Sequence, residues 1–298
     1  MRPDNFVLPA PGKLNLFLHI TGRRPDGFHE LQTLFQIVAF ADEMRFESTT
    51  DPGIRVEGDF ADTPVESNLI YKAAISLRKA AGNDRGAIIQ VSKKLPIGGG
   101  MGGGSSNAAT TLIGLNLLWN TNLPHGDLMN IGLQLGADVP LFIAGKTAIG
   151  EGIGERLTPL ETPQKWYLVV VPNCHVSTAA IFQNQQLTRD TSPITIARFL
   201  EQGDPFLGLN ADLKLRNDCE PVVRVLYPEI DTALNWLSQW GPARMTGTGA
   251  SVFSDFDDEA DANRVLAQLP HDLVGIVTKG VNISPLHQAE AEVKASIE

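Results

Sequence analysis

Leu14, Leu16 and Leu18 alternate with Lys13, Asn15 and Phe17, a period of two that predicts a strand over 6–21 with Lys13 and Asn15 pointing the same way. Shorter apolar runs at 31–40, 43–47 and 54–57 predict further strands, so the chain begins β-rich. Ile70, Ala73, Ala74 and Leu77 fall at i, i+3, i+4 and i+7, which predicts an amphipathic helix over 68–81 with Asn68 as its N-cap. A buried strand is predicted at 87–91, an apolar helix at 108–119 capped by Ser105, Ser106 and Asn107, and helix again at 127–135, broken at Gly136–Pro140. Beyond a glycine-rich strand and turn at 147–157, the pattern gives a strand at 166–171 and a helix from 177 to 185. Two helical segments follow around Pro228, then strand–turn–strand over 244–254, a helix over 258–269 with Ala262, Val265, Leu266 and Leu269 inward, and a strand at 274–279. Residues after Pro285 read as a polar helix or tail. This mixed order defines an α+β protein, which we divide near Leu160 into domains 1–160 and 161–298.

One stretch breaks the pattern. From Gly98 to Gly104 six residues of seven are glycine, in P-I-G-G-G-M-G-G-G-S-S-N. Glycine at that density costs backbone entropy and buries no side chain, so something there requires bare backbone. The order strand, glycine loop, helix N-terminus aims free N–H groups and the positive end of a helix dipole at one point, an anion site and most often a phosphate site. A Walker A loop is excluded, because no lysine follows the second glycine at the required spacing. Gly98, Gly100 and Gly103 satisfy a dinucleotide fingerprint formally, but a run of glycines does so almost automatically, and Pro124–Asp127 is a turn where that reading needs a strand ending in an acid. A flexible linker fits poorly between two strongly apolar flanks.

Composition narrows the ligand. With 24 Lys plus Arg against 34 Asp plus Glu, a net charge of −10 repels nucleic acid and anionic membrane, so neither is an expected partner, and a polyanionic substrate must be held by local donors. The two cysteines, Cys174 and Cys219, lack metal or redox spacing and fit a reducing compartment; with no apolar run of signal-peptide or membrane length, a cytoplasmic location is expected.

Three motifs in order, Pro11–Leu18 (P-G-K-L-N-L-F-L), Pro96–Ala109 and Met245–Phe253 (M-T-G-T-G-A-S-V-F), resemble those of the GHMP kinases. The resemblance implies an N-terminal ATP domain like ribosomal protein S5 domain 2, a ferredoxin-like C-terminal domain, and ATP with Mg²⁺ as cofactors. It places a catalytic base at Asp138 and a supporting lysine at Lys13. Nucleotide contacts fall at Asn68, Lys93 and Pro96, at Gly98, Gly99, Gly100, Gly102, Gly103 and Gly104, and at Ser105 and Ser106. The metal ligands are not readable beyond the two serines as candidates. Gly22–Phe35 (G-R-R-P-D-G-F-H-E-L-Q-T-L-F) and Leu135–Phe142 resemble the branch whose small-molecule acceptor is a cytidine diphosphate-linked sugar alcohol, phosphorylated on its 2-hydroxyl. Phe28 and His29 would then meet cytosine, although the family commonly carries tyrosine at the position of Phe28. Asn15, Thr178, Phe182, Gly247 and Gly249 would complete the acceptor site. The alternative is another small-molecule kinase of the family, of homoserine or mevalonate type, as a monomer or homodimer.

Overall fold

A computed structural model describes residues 5–60, 64–195 and 215–297. Strands β1 (Asn5–Arg23) and β2 (His29–Thr49) form a long antiparallel hairpin, with Asn5 opposite Glu47 and Arg23 opposite His29. The runs expected as separate strands at 31–40 and 43–47 are one strand, because β2 is paired along both edges. β1 runs along one edge, while the other meets β5 (Ala148–Gly152), then β10 (Val274–Val281), then β4 (Gly86–Ser92). Ladder partners on both edges, with Thr147 and Thr278 hydroxyls accepting from the Ile37 and Phe40 N–H groups, carry the strand through polar residues that would otherwise read as a turn.

β1 is interrupted by register shifts at Pro11/Lys13, Asn15/Phe17 and Ile20/Gly22. The predicted alternation therefore stops at Asn15: Leu16 and Phe17 both enter one apolar cluster, while Lys13, Asn15 and, beyond the shift, Leu18 line the cleft.

β3 (Ile54–Gly58) lies parallel to β4, and helices α1 (Leu69–Ala81), α2 (Gly103–Leu118), α3 (His125–Leu133) and α4 (Val139–Ala144) belong to this half. α1 buries Ile70, Ala73, Ala74 and Leu77, as predicted. α2 begins five residues before the expected Ala108. Its N-cap is Gly102 in a left-handed conformation (φ 72°), with no side-chain cap, so Ser105, Ser106 and Asn107 sit inside the first turns instead of capping them. From Ser106 to Leu117 every residue of α2 is buried.

After β5, β6 (Arg156–Pro159) completes the first half. The second is built from β7 (Trp166–Val171), α5 (Thr178–Gln183), α6 (Glu220–Leu226), α7 (Pro228–Leu237), β8 (Arg244–Met245), β9 (Val252–Phe256), α8 (Glu259–Leu266) and β10. β10 pairs with β7 over 274–279 and then crosses to β2 at Gly280–Val281, so the two halves share one sheet. The terminal helix α9 (Pro285–Ile297) returns to the first half, where Leu286, Ala289 and Val293 join the core of α1 and α2.

The middle of α2 is closely packed. A methyl group on Gly114 would stand 2.6–2.8 Å from three ring atoms of the fully buried Phe46. Alanine gains about 1 kcal/mol over glycine in helix propensity, but overpacking a closed core costs about 1–3 kcal/mol and here has no flexible neighbour to yield. Gly114→Ala is expected to lower stability by up to about 2 kcal/mol, read as a lower urea midpoint at unchanged slope; a raised midpoint would contradict this packing.

Candidate active site

Two cavities share a wall. The first, about 410 Å³, is lined by the glycine loop with Asn68, Leu69, Lys93 and Pro96. The second, about 360 Å³, is lined by Lys13, Asn15, Thr33, Asp138, Thr178 and Phe182 among others. Gly100, Gly102 and Ser105 line both, so the seam between the cavities lies at the N-terminus of α2, where free N–H groups and the helix dipole favour an anion.

Lys13 and Asp138 meet at this seam. The Lys13 ammonium, 4 % exposed, donates to Asn15 Oδ1 at 2.5 Å, lies 3.6 Å from Asp138 Oδ2, and stands 5.6 Å from the centre of the Phe35 ring. Burial lowers its pKa below the ordinary lysine value, and the charge of Asp138 opposes that shift. Asp138 precedes α4 but makes no side-chain cap, so its carboxylate is directed to Lys13 and the cavity and not to the helix. Asn15 is fixed from three sides. Its amide donates to Thr33 Oγ1 (2.9 Å), its backbone N–H donates to Thr246 Oγ1 (3.0 Å), and its carbonyl accepts from Lys13. It therefore orients the lysine at the cavity wall.

Glycine is required where these parts crowd. A Cβ on Gly102 would stand 3.0 Å from Phe142 and 3.3 Å from Lys13 Cε, and one on Gly100 only 2.4 Å from the Thr246 carbonyl oxygen. The second glycine turn packs directly on the first, and Ser251 N–H donates to the Gly99 carbonyl at 3.2 Å. Gly247 lines the second cavity, whereas Gly249 faces Met245, Ile230 and Val176 in the apolar interior. Ser106 is likewise outside both cavities, fully buried with no hydrogen-bond partner for its hydroxyl among the described residues; Ser105 is the serine at the seam.

Asn68 caps α1 by accepting from Ile70 N–H (2.9 Å), as expected, and it also lines the first cavity. Lys93 reaches the same wall, held by Asp42 and by Asn107 Oδ1 (3.1 Å). Asp42 carries no sequence signal, one acid among many in a strand. Nevertheless it is fully buried and accepts from the backbone of Lys94 (2.7 Å) and Leu95 (2.8 Å), from Asn107 Nδ2 (2.9 Å) and from Lys93, joining the β4 end to α2. Sequence reasoning also missed Thr248, which pairs with Thr178 (2.9 Å), and His175, whose Nδ1 would lie 3.0 Å from a Cβ on Gly98. Asn217 carries no sequence signal either. It donates to the carbonyls of Met245 and Gly247, pinning the second glycine turn.

Phe28 and His29 part company. Phe28 is 60 % exposed at the tip of the 24–28 turn, whereas His29 is buried, stacks on Phe182 with centroids 5.1 Å apart, and accepts from Arg189 Nε at 3.1 Å. Burial first, then the charges of Arg189 and Arg23, lowers the His29 pKa, so the ring is neutral near pH 7. Phe182 reaches the second cavity, and His29 stands behind it.

Residues 68–146 match the model of the GHMP kinases N-terminal domain, and residues 203–274 match that of the GHMP kinases C-terminal domain. The chain belongs to the GHMP kinases, ATP-dependent kinases of small molecules. Among its relatives, the 4-diphosphocytidyl-2-C-methyl-D-erythritol kinase of Tolumonas auensis is 50 % identical over 98 % of this chain and 99 % of its own length. The enzyme of the same name from Pseudomonas aeruginosa is 50 % identical over 94 % and 96 %. A crystal structure of 4-(cytidine 5'-diphospho)-2C-methyl-D-erythritol kinase superposes with a TM-score of 0.77 at 29 % identity, covering 93 % of this chain and all of that one. Homoserine kinase from Cytophaga hutchinsonii, at 17 % identity and a TM-score of 0.70, shares the fold.

Asp42→Asn leaves one acceptor oxygen where two met four donors, and strands the Lys93 ammonium. Breaking a buried pair from one side costs about 3–5 kcal/mol; because asparagine keeps part of the network, a loss of about 2–4 kcal/mol in urea unfolding is expected, with a raised KM for ATP. Unchanged stability and KM would remove Asp42 from this role.

Proposed function

We propose that the protein transfers the γ-phosphoryl group of ATP to the 2-hydroxyl of 4-diphosphocytidyl-2-C-methyl-D-erythritol, in a cytoplasmic route to isoprenoid precursors. The observation that carries the mechanism is the Lys13–Asp138 pair at the seam of the two cavities, beside the N-terminus of α2. The nucleotide occupies the first cavity with its phosphates on the backbone N–H groups from Gly98 to Ser105, its base end toward Asn68, and Lys93 at its flank. The acceptor occupies the second cavity between Asn15, Thr178, Phe182 and Gly247.

Asp138 takes the proton of the acceptor hydroxyl as its oxygen attacks the γ-phosphorus, and the bond to the β-phosphate oxygen breaks with release of ADP. The Lys13 ammonium, held by Asn15, steadies the charge developing on the attacking oxygen and keeps Asp138 ionised. The hard oxygen donors facing the seam, the Ser105 hydroxyl and the Asp138 carboxylate, fit Mg²⁺. When bound with the nucleotide it supplies neutralising charge at the β and γ oxygens. Phe28 offers an uncovered ring face for cytosine, and stacking on such a face is worth about 1–3 kcal/mol per base; His29 supplies the polar contact from behind Phe182.

The reading is tested by ADP release with ATP and Mg²⁺ in the presence of the cytidylyl acceptor, homoserine, mevalonate or no acceptor. Turnover with the cytidylyl acceptor alone is expected; turnover only with another alcohol would move the chain to a different substrate branch. Asp138→Ala is expected to reduce kcat by roughly 10²–10⁴, the usual range for a general base, with folding unchanged by circular dichroism. Near-normal turnover in that variant would free Asp138 of the role.

A further inference from the structure

Outside both cavities, α9 docks against the α3 N-terminus and the end of α4 through a cluster that the phosphoryl transfer does not use. One nitrogen of His125, one of His287 and one oxygen of Glu290 all lie within 4.8 Å of one another. His287 and Glu290 are three residues apart on α9, which puts both on one helix face, and His125 opens α3 across from them. We propose that His125, His287 and Glu290 form a binding site for a single borderline divalent cation of the Zn²⁺ type, with water completing its coordination, that staples α9 to the first half of the molecule.

The donor set is two imidazoles and a carboxylate, a combination that suits Zn²⁺ and leaves one position open. Bonds of about 2.0–2.2 Å in a tetrahedron put neighbouring ligand atoms roughly 3.4 Å apart. His125 Nε2 and Glu290 Oε1 are already 3.0 Å apart, and a nitrogen of His287 lies within 4.8 Å of both ligand atoms, so the His287 ring must draw in to complete the set. A second observation concerns His287. Its Nε2 bonds the Ile143 carbonyl at 2.8 Å, and because a carbonyl only accepts, Nε2 carries the proton and Nδ1 the lone pair. A backbone carbonyl holding the far N–H of a histidine is the outer-shell contact that fixes metal-ligating imidazoles.

Without a cation, the 5 %-exposed Glu290 carboxylate is met by His125 and by Lys294 Nζ at 2.7 Å. Lys294 is therefore the competitor for the carboxylate. This gives the proposal a test in both directions. Zn²⁺ alone is titrated into the full-length protein, without nucleotide, and followed by calorimetry and by ¹H–¹⁵N correlation of the imidazole side chains.

One equivalent should bind and move the resonances of His125 and His287 and not those of the other four of the six histidines. His287→Ala and Glu290→Gln should each weaken binding roughly tenfold or more, the scale of even outer-shell changes at metal sites, whereas Lys294→Ala should tighten it. Unchanged histidine resonances in the wild-type protein would overturn the site whether or not the variants fold. Equal Zn²⁺ affinity in wild type, His287→Ala and Lys294→Ala would do so as well.

Discussion

The structure depends on keeping one ammonium charged while almost no water touches it. An unpaired ammonium moved out of water costs several kcal/mol, and Lys13 is 4 % exposed. Its compensation comes from separate parts of the chain: Asn15 two residues away, Asp138 before α4, and the face of Phe35 on β2. Asn15 can serve only because Thr33 and Thr246 hold it, so the β1–β2 hairpin and the second glycine turn are drawn to the same point. The register shifts of β1 belong to this arrangement. They free Lys13 and Asn15 from strict alternation and let Leu16 and Phe17 both go inward.

The same pairing explains how a chain of net charge −10 can hold a triphosphate. Each lysine at the phosphate end has its own acid, Lys13 with Asp138 and Lys93 with Asp42, so neither is an excess positive charge awaiting the ligand. What remains for the anion is backbone: N–H groups with no side chain in front of them and the dipole of α2. Bare backbone also explains why the two glycine turns touch, since Gly100 admits the Thr246 carbonyl where any Cβ would collide with it. Preorganisation of this kind needs no rearrangement as charge develops during transfer.

Much of this was legible in the sequence because it rested on local periodicity and on glycine. The helix at 69–81 with its four buried positions, the helix at 259–266 with Ala262 and Val265 inward, and the strand–loop–helix order around Gly98–Gly104 all follow from patterns a few residues long. The illegible parts depend on long-range pairing. Nothing local joins 31–40 to 43–47; β1, β4, β5 and β10 do that from outside. The start of α2 was misplaced because Ser105 and Ser106 look like caps, and only the crowding of Gly102 by Lys13 and Phe142 shows why the cap has no side chain. Asp42 and Asn217 were invisible as positioning residues for a related reason. A polar residue declares its role through partners 28 to 65 positions away in the chain.

The division of labour between Phe28 and His29 follows from their surroundings. Phe28 stands in water at 60 % exposure, an uncovered aromatic face on which any planar base could stack without discrimination. His29 is constrained. Arg189 Nε–H can only donate, so Nε2 of the neutral ring accepts, and the proton resides on Nδ1. Stacking on Phe182 fixes the plane in which that N–H can be offered. Selectivity arises where a buried polar group would be left unpaired by the wrong partner, and of the two rings only His29 is buried and fixed. In the proposed reaction, discrimination between bases therefore falls to the imidazole and to the arginine that sets its tautomer.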